Sequence, residues 1–407
     1  MKLYALTTSR NRPRRWLAVL ALLGVLAGRA SAAPAITNIA VTQRAGTKLV
    51  DVTYDLAAPG ASVVTVALAI SSDGGATFAV PVASVTGAIG LGVTPGAGRV
   101  LTWNAGADWN QQMSSQVRFR IMADDGLTAP PGFSLVPAGA FQMGDAIDGL
   151  AIAPPHSVTV DAFYAQQTET TKAQWDTVYN WALTQGYSYE NPGNGKTGNH
   201  PVQNINWYDM AKWCNARSQM EGLVPCYYTD GAQTVTYKTG RVDLADAMVK
   251  WSANGYRLPT EAEWEKAARG GLVQQRFPWG AESAHSWANY YSVPGYPYDP
   301  SPTRGYHPSY QTGALPYTSP AGSFSANGYG LFDVCGNVFE WCWDWLGNYP
   351  TAAGPDTHGP ATGVHRVLRG GGWDHGSSYG RCAFRNNMIG PDSRDAIIGF
   401  RTVRRAP

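Results

Sequence analysis

Tyr256-Arg-Leu-Pro-Thr-Glu-Ala-Glu-Trp-Glu-Lys-Ala-Ala-Arg-Gly-Gly271 is the stretch on which the reading of this chain turns. Thr260 is followed three residues later by Glu263, the spacing of a capping box, in which hydroxyl and carboxylate satisfy the first free N–H groups of a helix reciprocally. Gly270-Gly271 then stops the helix, because glycine enters the left-handed region without steric cost. The pattern predicts one short helix set between turns. Glu261, Glu263 and Glu265 invite an acid–base reading, but Glu263 is used by the cap, and the three are read as a capped, solvated helix face.

Two further helices are legible on the N-terminal side. Thr171-Lys-Ala-Gln174 is a second capping box, opening a helix with Trp175, Val178, Tyr179 and Ala182 on one face and Gly186 at its end. Asn206 can cap a third, with Met210, Trp213, Cys214 and Arg217 at helical spacing up to Gly222. The rest beyond residue 132 is turns and short strands. Of the 15 Trp, only Trp103 and Trp109 lie between the leader and residue 132, and with 46 Gly and 27 Pro the chain reads as loop-rich and pinned by large rings.

From Ala35 to about Asp125 the pattern is different. Short alternating runs, Ile36–Thr42, Lys48–Tyr54, Ser62–Ile70, Thr77–Val82, Arg99–Trp103 and Gln116–Ile121, are separated by turn signals such as Ser72-Asp-Gly-Gly75. Six such strands predict an all-β immunoglobulin- or fibronectin-like sandwich over residues 33–125. It holds no cysteine and no cluster of titratable groups, so spacing or adhesion is expected of it rather than chemistry. Residues 126–132 read as a linker and 133–407 as a second domain.

Residues 1–32 carry six basic residues and no acid, an apolar run from Trp16 to Ala27, and the small residues Ala30-Ser-Ala32. This is the layout of a signal peptide cut before Ala33. The run is short of the roughly 20 residues that span a bilayer, and no later segment could span one. The protein is therefore expected to be exported, to the periplasm, the cell surface or the medium. Removing the leader's six bases from the chain's 31 leaves 25 basic against 29 acidic residues in 33–407. That balance argues against a basic nucleic-acid surface. Export would place Cys214, Cys226, Cys335, Cys342 and Cys382 where disulfides persist. Cys214 with Cys226 and Cys342 with Cys382 are the expected pairs, leaving Cys335 free, although sequence alone does not fix the connectivity.

The second domain resembles the formylglycine-generating enzyme, or sulfatase-modifying factor, family. The resemblance rests on Phe133-Ser-Leu-Val-Pro-Ala-Gly-Ala-Phe-Gln-Met-Gly144, Glu169-Thr-Thr-Lys-Ala-Gln-Trp175, Pro201-Val-Gln-Asn-Ile-Asn-Trp207, the opening stretch and Phe277-Pro-Trp-Gly280. It continues through Asn327-Gly-Tyr-Gly-Leu-Phe-Asp-Val-Cys-Gly-Asn-Val-Phe-Glu-Trp341, Arg369-Gly-Gly-Gly-Trp373 and Gly399-Phe-Arg401. It implies a compact α+β, loop-rich fold related to C-type lectins, with bound calcium.

Catalytic members of the family oxidise a substrate cysteine to formylglycine with molecular oxygen, holding Cu(I) on two thiolates, soft donors that suit that ion. Here the first of those positions falls on His375 and the second within Ser378–Gly380, so the copper pair is missing and copper is not expected. His375 beside Asp374 is left as a candidate metal ligand or general base, with His358 and His365 upstream. Cys382 matches a family cysteine normally tied in a disulfide.

For calcium, the resemblance maps Asp333, the carbonyls of Gly336 and Val338, and Glu340 onto one site and Asn289 onto a second, hard oxygen donors of the kind calcium takes. Phe339, Trp341, Trp343 and Trp373 are candidate ring contacts for a ligand, or else core. The sequence thus points to an exported, calcium-stabilised domain without the copper–thiolate centre, binding a protein, peptide or glycan ligand. The alternatives are an oxygen-dependent, protein-modifying oxidoreductase and a structural surface module.

Overall fold

The structure is a computed structural model, and it describes residues 4–5, 34–58, 63–75, 78, 80–124, 129–350, 353–386 and 389–406. The leader expected over residues 1–32 lies outside these except for Tyr4–Ala5, as do residues 126–128 of the expected linker. The chain divides into two compact units, residues 1–128 and 129–406.

The first unit is built of strands β1 (Ala35–Gln43), β2 (Leu49–Ala57), β3 (Val64–Ser71), β4 (Val85–Gly87), β5 (Gly90–Val93), β6 (Gly96–Asn104) and β7 (Arg118–Asp124), with one helical turn, α1 (Ala105–Asp108). They form two sheets, ordered β1-β2-β6-β4 and β7-β3-β5, the second extended by Tyr4–Ala5, which pairs parallel with β7. Alternation puts Val50, Val52, Tyr54 and Leu56 of β2 inside with Asp51, Thr53 and Asp55 turned outward. The inner faces of both sheets share one core with Val66, Leu68, Ile70, Trp103, Phe119 and Ile121. The strand expected over 77–82 is not formed among the described residues: Val80 makes only an isolated bridge to Ile70. Pro81 has no N–H to continue a ladder, and that edge of β3 pairs instead with β5, at Val64 and Val66.

The second unit contains β8 (Phe133–Val136), β9 (Gly139–Met143), β10 (His156–Val160), β11 (Phe163–Gln166), α2 (Lys172–Thr184), α3 (Trp207–Met220), β12 (Tyr256–Arg257) and α4 (Glu261–Arg269). Then come β13 (Phe339–Trp345), β14 (Gly354–Pro355), β15 (Arg366–Arg369), β16 (Ile398–Gly399) and β17 (Val403–Arg405). Three small sheets run β9-β10-β14, β12-β17-β11-β8 and β15-β13-β16. All three helices begin where the sequence places them. Thr171 and Thr260 both close capping boxes, and Asn206 Oδ1 accepts from Asp209 N at 2.9 Å. Between α2 and α3 the Trp175 and Trp213 rings stack at 5.8 Å, and Phe400 meets both edge-on.

Helix α4 departs from the expected solvated face, being buried along its whole length. Its acids face guanidiniums instead of water: Glu261 with Arg385 at 2.6 Å, Glu263 with Arg257 at 2.5 Å, and Glu265 with both Arg269 and Arg369. Burial pushes the Glu263 and Glu265 carboxyls up, but these guanidiniums outweigh it and hold both below the usual carboxylate range. Gly270, at φ 57°, ends the helix, and a Cβ there would come within 2.7 Å of Gly328 N, so both the turn and the close approach require glycine.

Candidate functional site

Two glycine turns hold the loop that carries His375. β13 pairs antiparallel with β15 (Glu340 opposite Arg369) and parallel with β16 (Glu340 opposite Gly399). Just before β13 the backbone turns through Gly336, and just after β15 it turns through Gly370 and Gly371. The turns interlock: Gly336 N donates to Gly370 O at 2.7 Å and Trp373 N to Asn337 O at 2.8 Å. A Cβ at Gly371 would meet the Tyr379 and Gly380 backbone at 3.0 Å, which is how a chain this tightly folded returns on itself.

On this support the loop presents Asp374 and His375, both half-buried. His375 Nδ1 donates to Asp374 Oδ1 at 2.6 Å, an arrangement that in the neutral ring puts the lone pair on Nε2. The imidazole packs edge-on against Phe339 at 5.0 Å and Tyr379 at 4.8 Å. Beside it Trp373 touches Tyr306 at 5.6 Å and Tyr317 at 5.5 Å, and Tyr306 touches Tyr291 at 4.8 Å. Tyr291 N also donates to His375 O at 3.0 Å. Tyr291, Tyr306, Tyr317 and Tyr379 are each partly exposed, and with Asp374 and His375 they make one ring-lined face.

Several expected site residues sit elsewhere. Phe339, Trp341, Trp343 and Trp373 are at most 4% exposed, so they are core or floor and do not meet a ligand in solvent. The reason is that β13 lies inside a sheet and is covered on both faces: Trp343 is enclosed by Trp207, Tyr227 and Trp251. One of the exposed rings, Tyr379, comes from the loop itself, and the other three, Tyr291, Tyr306 and Tyr317, come from the insert 293–317 and its flank, which the family motifs do not cover. Its density of tyrosine was the available signal. His358 stacks on Trp251 and meets Asp246 at 2.8 Å, so it belongs to another neighbourhood than His375.

All five cysteines are free and buried. The expected Cys214–Cys226 and Cys342–Cys382 disulfides are absent. Cys335 has Cys382 as its sulfur neighbour, whereas the groups acting on Cys342 are Arg369 and acids. Cys335 lies under the loop, where a Cβ on Gly380 would collide with its Sγ. Burial pushes every one of these thiols up, Cys382 to about 12 despite Arg269. They are neutral near pH 7, and the loop itself offers no sulfur. The donor set therefore does not fit Cu(I).

The calcium positions fare unevenly. Both Glu340 oxygens accept from Arg401 at 2.6 Å, and Trp264 Nε1 adds a third bond at 2.7 Å, so this carboxylate is already satisfied. Asp333 Oδ1, Asn289 Oδ1 and both Glu169 oxygens are buried without a hydrogen-bond partner. Burial, then the nearby Asp333 and Glu340 charges, push Glu169 well above the carboxylate range. Asp333, likewise raised by burial, reaches about 6. Unpartnered carboxylate oxygens of this kind fit a hard cation. No cluster of three or more His, Cys, Asp or Glu suited to a metal occurs among the described residues. Nor is any helix among them long and apolar enough to cross a membrane.

The sulfatase-modifying factor enzyme 1-like domain matches residues 118–406. The chain belongs to this family. It is 33% identical over 261 residues to the chaperone protein LppX of Paenibacillus barcinonensis, covering 61% of this chain and 82% of that one. It is 41% identical over 169 residues to the formylglycine-generating enzyme of Streptomyces coelicolor, covering 40% of this chain and half of that enzyme. Among solved structures, Treponema denticola variable protein 1 superposes with a TM-score of 0.52 at 30% identity, over 67% of this chain and 94% of the other. Within the family, then, this chain has a histidine–aspartate pair and a tyrosine face where the resemblance would put thiolates.

Proposed function

We propose that residues 129–406 form an exported, non-copper member of the family that binds a ligand on the face of Tyr291, Tyr306, Tyr317 and Tyr379 around Asp374 and His375. The carrying observation is that the loop position expected to hold a thiolate is His375, bonded to Asp374 and packed against the half-exposed Tyr379, with Tyr306 and Tyr317 on the adjoining Trp373. Rings flanking a carboxylate suit a glycan, whose apolar faces stack while its hydroxyls donate to Asp374. A peptide is the competing ligand. Titration of the mature protein with neutral oligosaccharides and with peptides, read by tyrosine fluorescence or calorimetry, tests this. Saturable binding that Tyr306→Ala abolishes supports the reading, and unchanged binding in that variant removes the face from it.

Calcium remains part of this proposal. Asp333, with Glu169 beside it, would hold the ion, which would supply a charge-neutralising crosslink, while Glu340 is engaged by Arg401. A rise in melting temperature with calcium, lost in Asp333→Asn, is the expected result. For residues 33–125 the proposed reading is an immunoglobulin- or fibronectin-like spacing or adhesion unit.

A second reading is an oxygen-dependent protein modification, favoured by the identity to formylglycine-generating enzymes and by the position of His375. Incubation with a Cys-x-Pro-x-Arg peptide, copper and oxygen, followed by mass measurement, decides it. An unmodified peptide excludes the family's usual reaction.

A further inference from the structure

A second concave site lies on the β9, β10 and α4 side of the same unit. A cleft of about 390 Å³ is bordered by Phe141, Ser157, Lys266, Leu272, Val273 and Tyr329, within the size range of small-molecule sites. Lys266 is 5% exposed, and its Nζ donates to Gly139 O at 2.7 Å. An ammonium has three donors, and no carboxylate among the described residues lies within ion-pair reach of this one. Its neighbours deepen the imbalance: Glu265 is shared by Arg269 and Arg369, and Glu261 serves Arg385 and Arg369. Two carboxylates thus answer three guanidiniums, and none answers Lys266.

The rim is apolar, with Val273 73% and Leu272 40% exposed. A buried cation without a counter-ion, lining one cleft with the exposed apolar side chains of Leu272 and Val273, is complementary to a molecule with an anionic head and an apolar body. We propose that this cleft binds a small amphiphilic carboxylate, its head on Lys266 and its apolar body along Phe141, Leu272 and Val273. Burial of a charge without a partner is unfavourable. That cost is visible in the Lys266 ammonium, which desolvation brings down to about 8, and a carboxylate in the cleft would relieve it.

The test uses the full mature chain and octanoate, with octylamine and inorganic phosphate as controls, by calorimetry. Octanoate is expected to bind one per chain, and Lys266→Met to weaken it about tenfold, the scale of one charge-assisted hydrogen bond. Because Lys266 is buried and its variant risks the fold, Val273→Glu supplies the second arm. Val273 is exposed, and a negative charge there should weaken octanoate without changing the melting temperature, whereas Val273→Lys should not weaken it. Octylamine binding as tightly as octanoate, phosphate binding as tightly as octanoate, or indifference of octanoate to both Lys266→Met and Val273→Glu would each overturn the proposal.

Discussion

Helix α4 and the loop after the triple glycine both set carboxylates beside nitrogen donors, and the protein uses the two in opposite ways. On α4 each acid is closed by one or two guanidiniums and shut away from water: Glu261, Glu263 and Glu265 are at most 6% exposed. On the loop a single carboxylate meets a single imidazole, both about 30% exposed on their side chains, among rings that open to solvent. Burial beside a guanidinium makes these carboxylates structural, whereas partial exposure leaves the Asp374–His375 pair open to solvent.

The sharpest way to break this contrast is at Glu265. Glu265→Ala leaves Arg269 and Arg369 buried without their shared partner, and removing one side of a buried pair costs about 3–5 kcal/mol. The urea midpoint should fall accordingly. A loss below about 1 kcal/mol would mean that water reaches α4 and that the two regions are not distinct.

The cap comes next. Thr260→Ala removes the hydroxyl that accepts from Glu263 N at 3.1 Å, and about 1 kcal/mol should be lost in the same measurement.

Asp148 sits between the extremes and sharpens the comparison through pH. It holds Arg276 at 2.7 Å and Arg381 at 2.9 Å, and Arg381 in turn bonds Ser378 O in the loop. The hydrogen bond from Arg276, and after it that from Arg381, bring the Asp148 carboxyl down to about 2 against the opposing effect of burial. Folding therefore favours the ionised form. The contribution is full above the ordinary value near 4 and is lost as pH falls through about 2. Asp148→Asn should flatten that acid limb by up to about 1 kcal/mol, given its partial exposure.

The smallest effect on stability is expected on the loop. His375→Ala and Tyr306→Ala should each shift the midpoint by no more than about 0.5 kcal/mol, as surface changes do, while ligand binding falls. A large loss of stability in either would return the face to the core.

How much of this was readable beforehand depended on whether the signal was local. The capping boxes at Thr171 and Thr260, the stop at Gly270 and the alternation in β2 are interactions between residues a few positions apart, so their spacing states them directly. That residues 370–381 contain no cysteine was equally plain, since an absent side chain needs no geometry. What failed was exposure. Glu261 and Glu265 look like a solvated helix face until Arg385 and Arg369, more than 100 residues away, arrive beside them. Trp341 and Trp343 look like a recognition stripe until β15 and β16 enclose their strand.

By itself the chain determined where the three helices of the second unit begin, most of the first unit's strands and which family scaffold is built, because these follow from capping, alternation and glycine conformations within single stretches. Only the tertiary structure decided which charges are paired, which thiols lie together, and which rings face outward. Those properties belong to neighbours brought together from distant parts of the sequence, and burial, which sets their energies, exists only once the chain has folded.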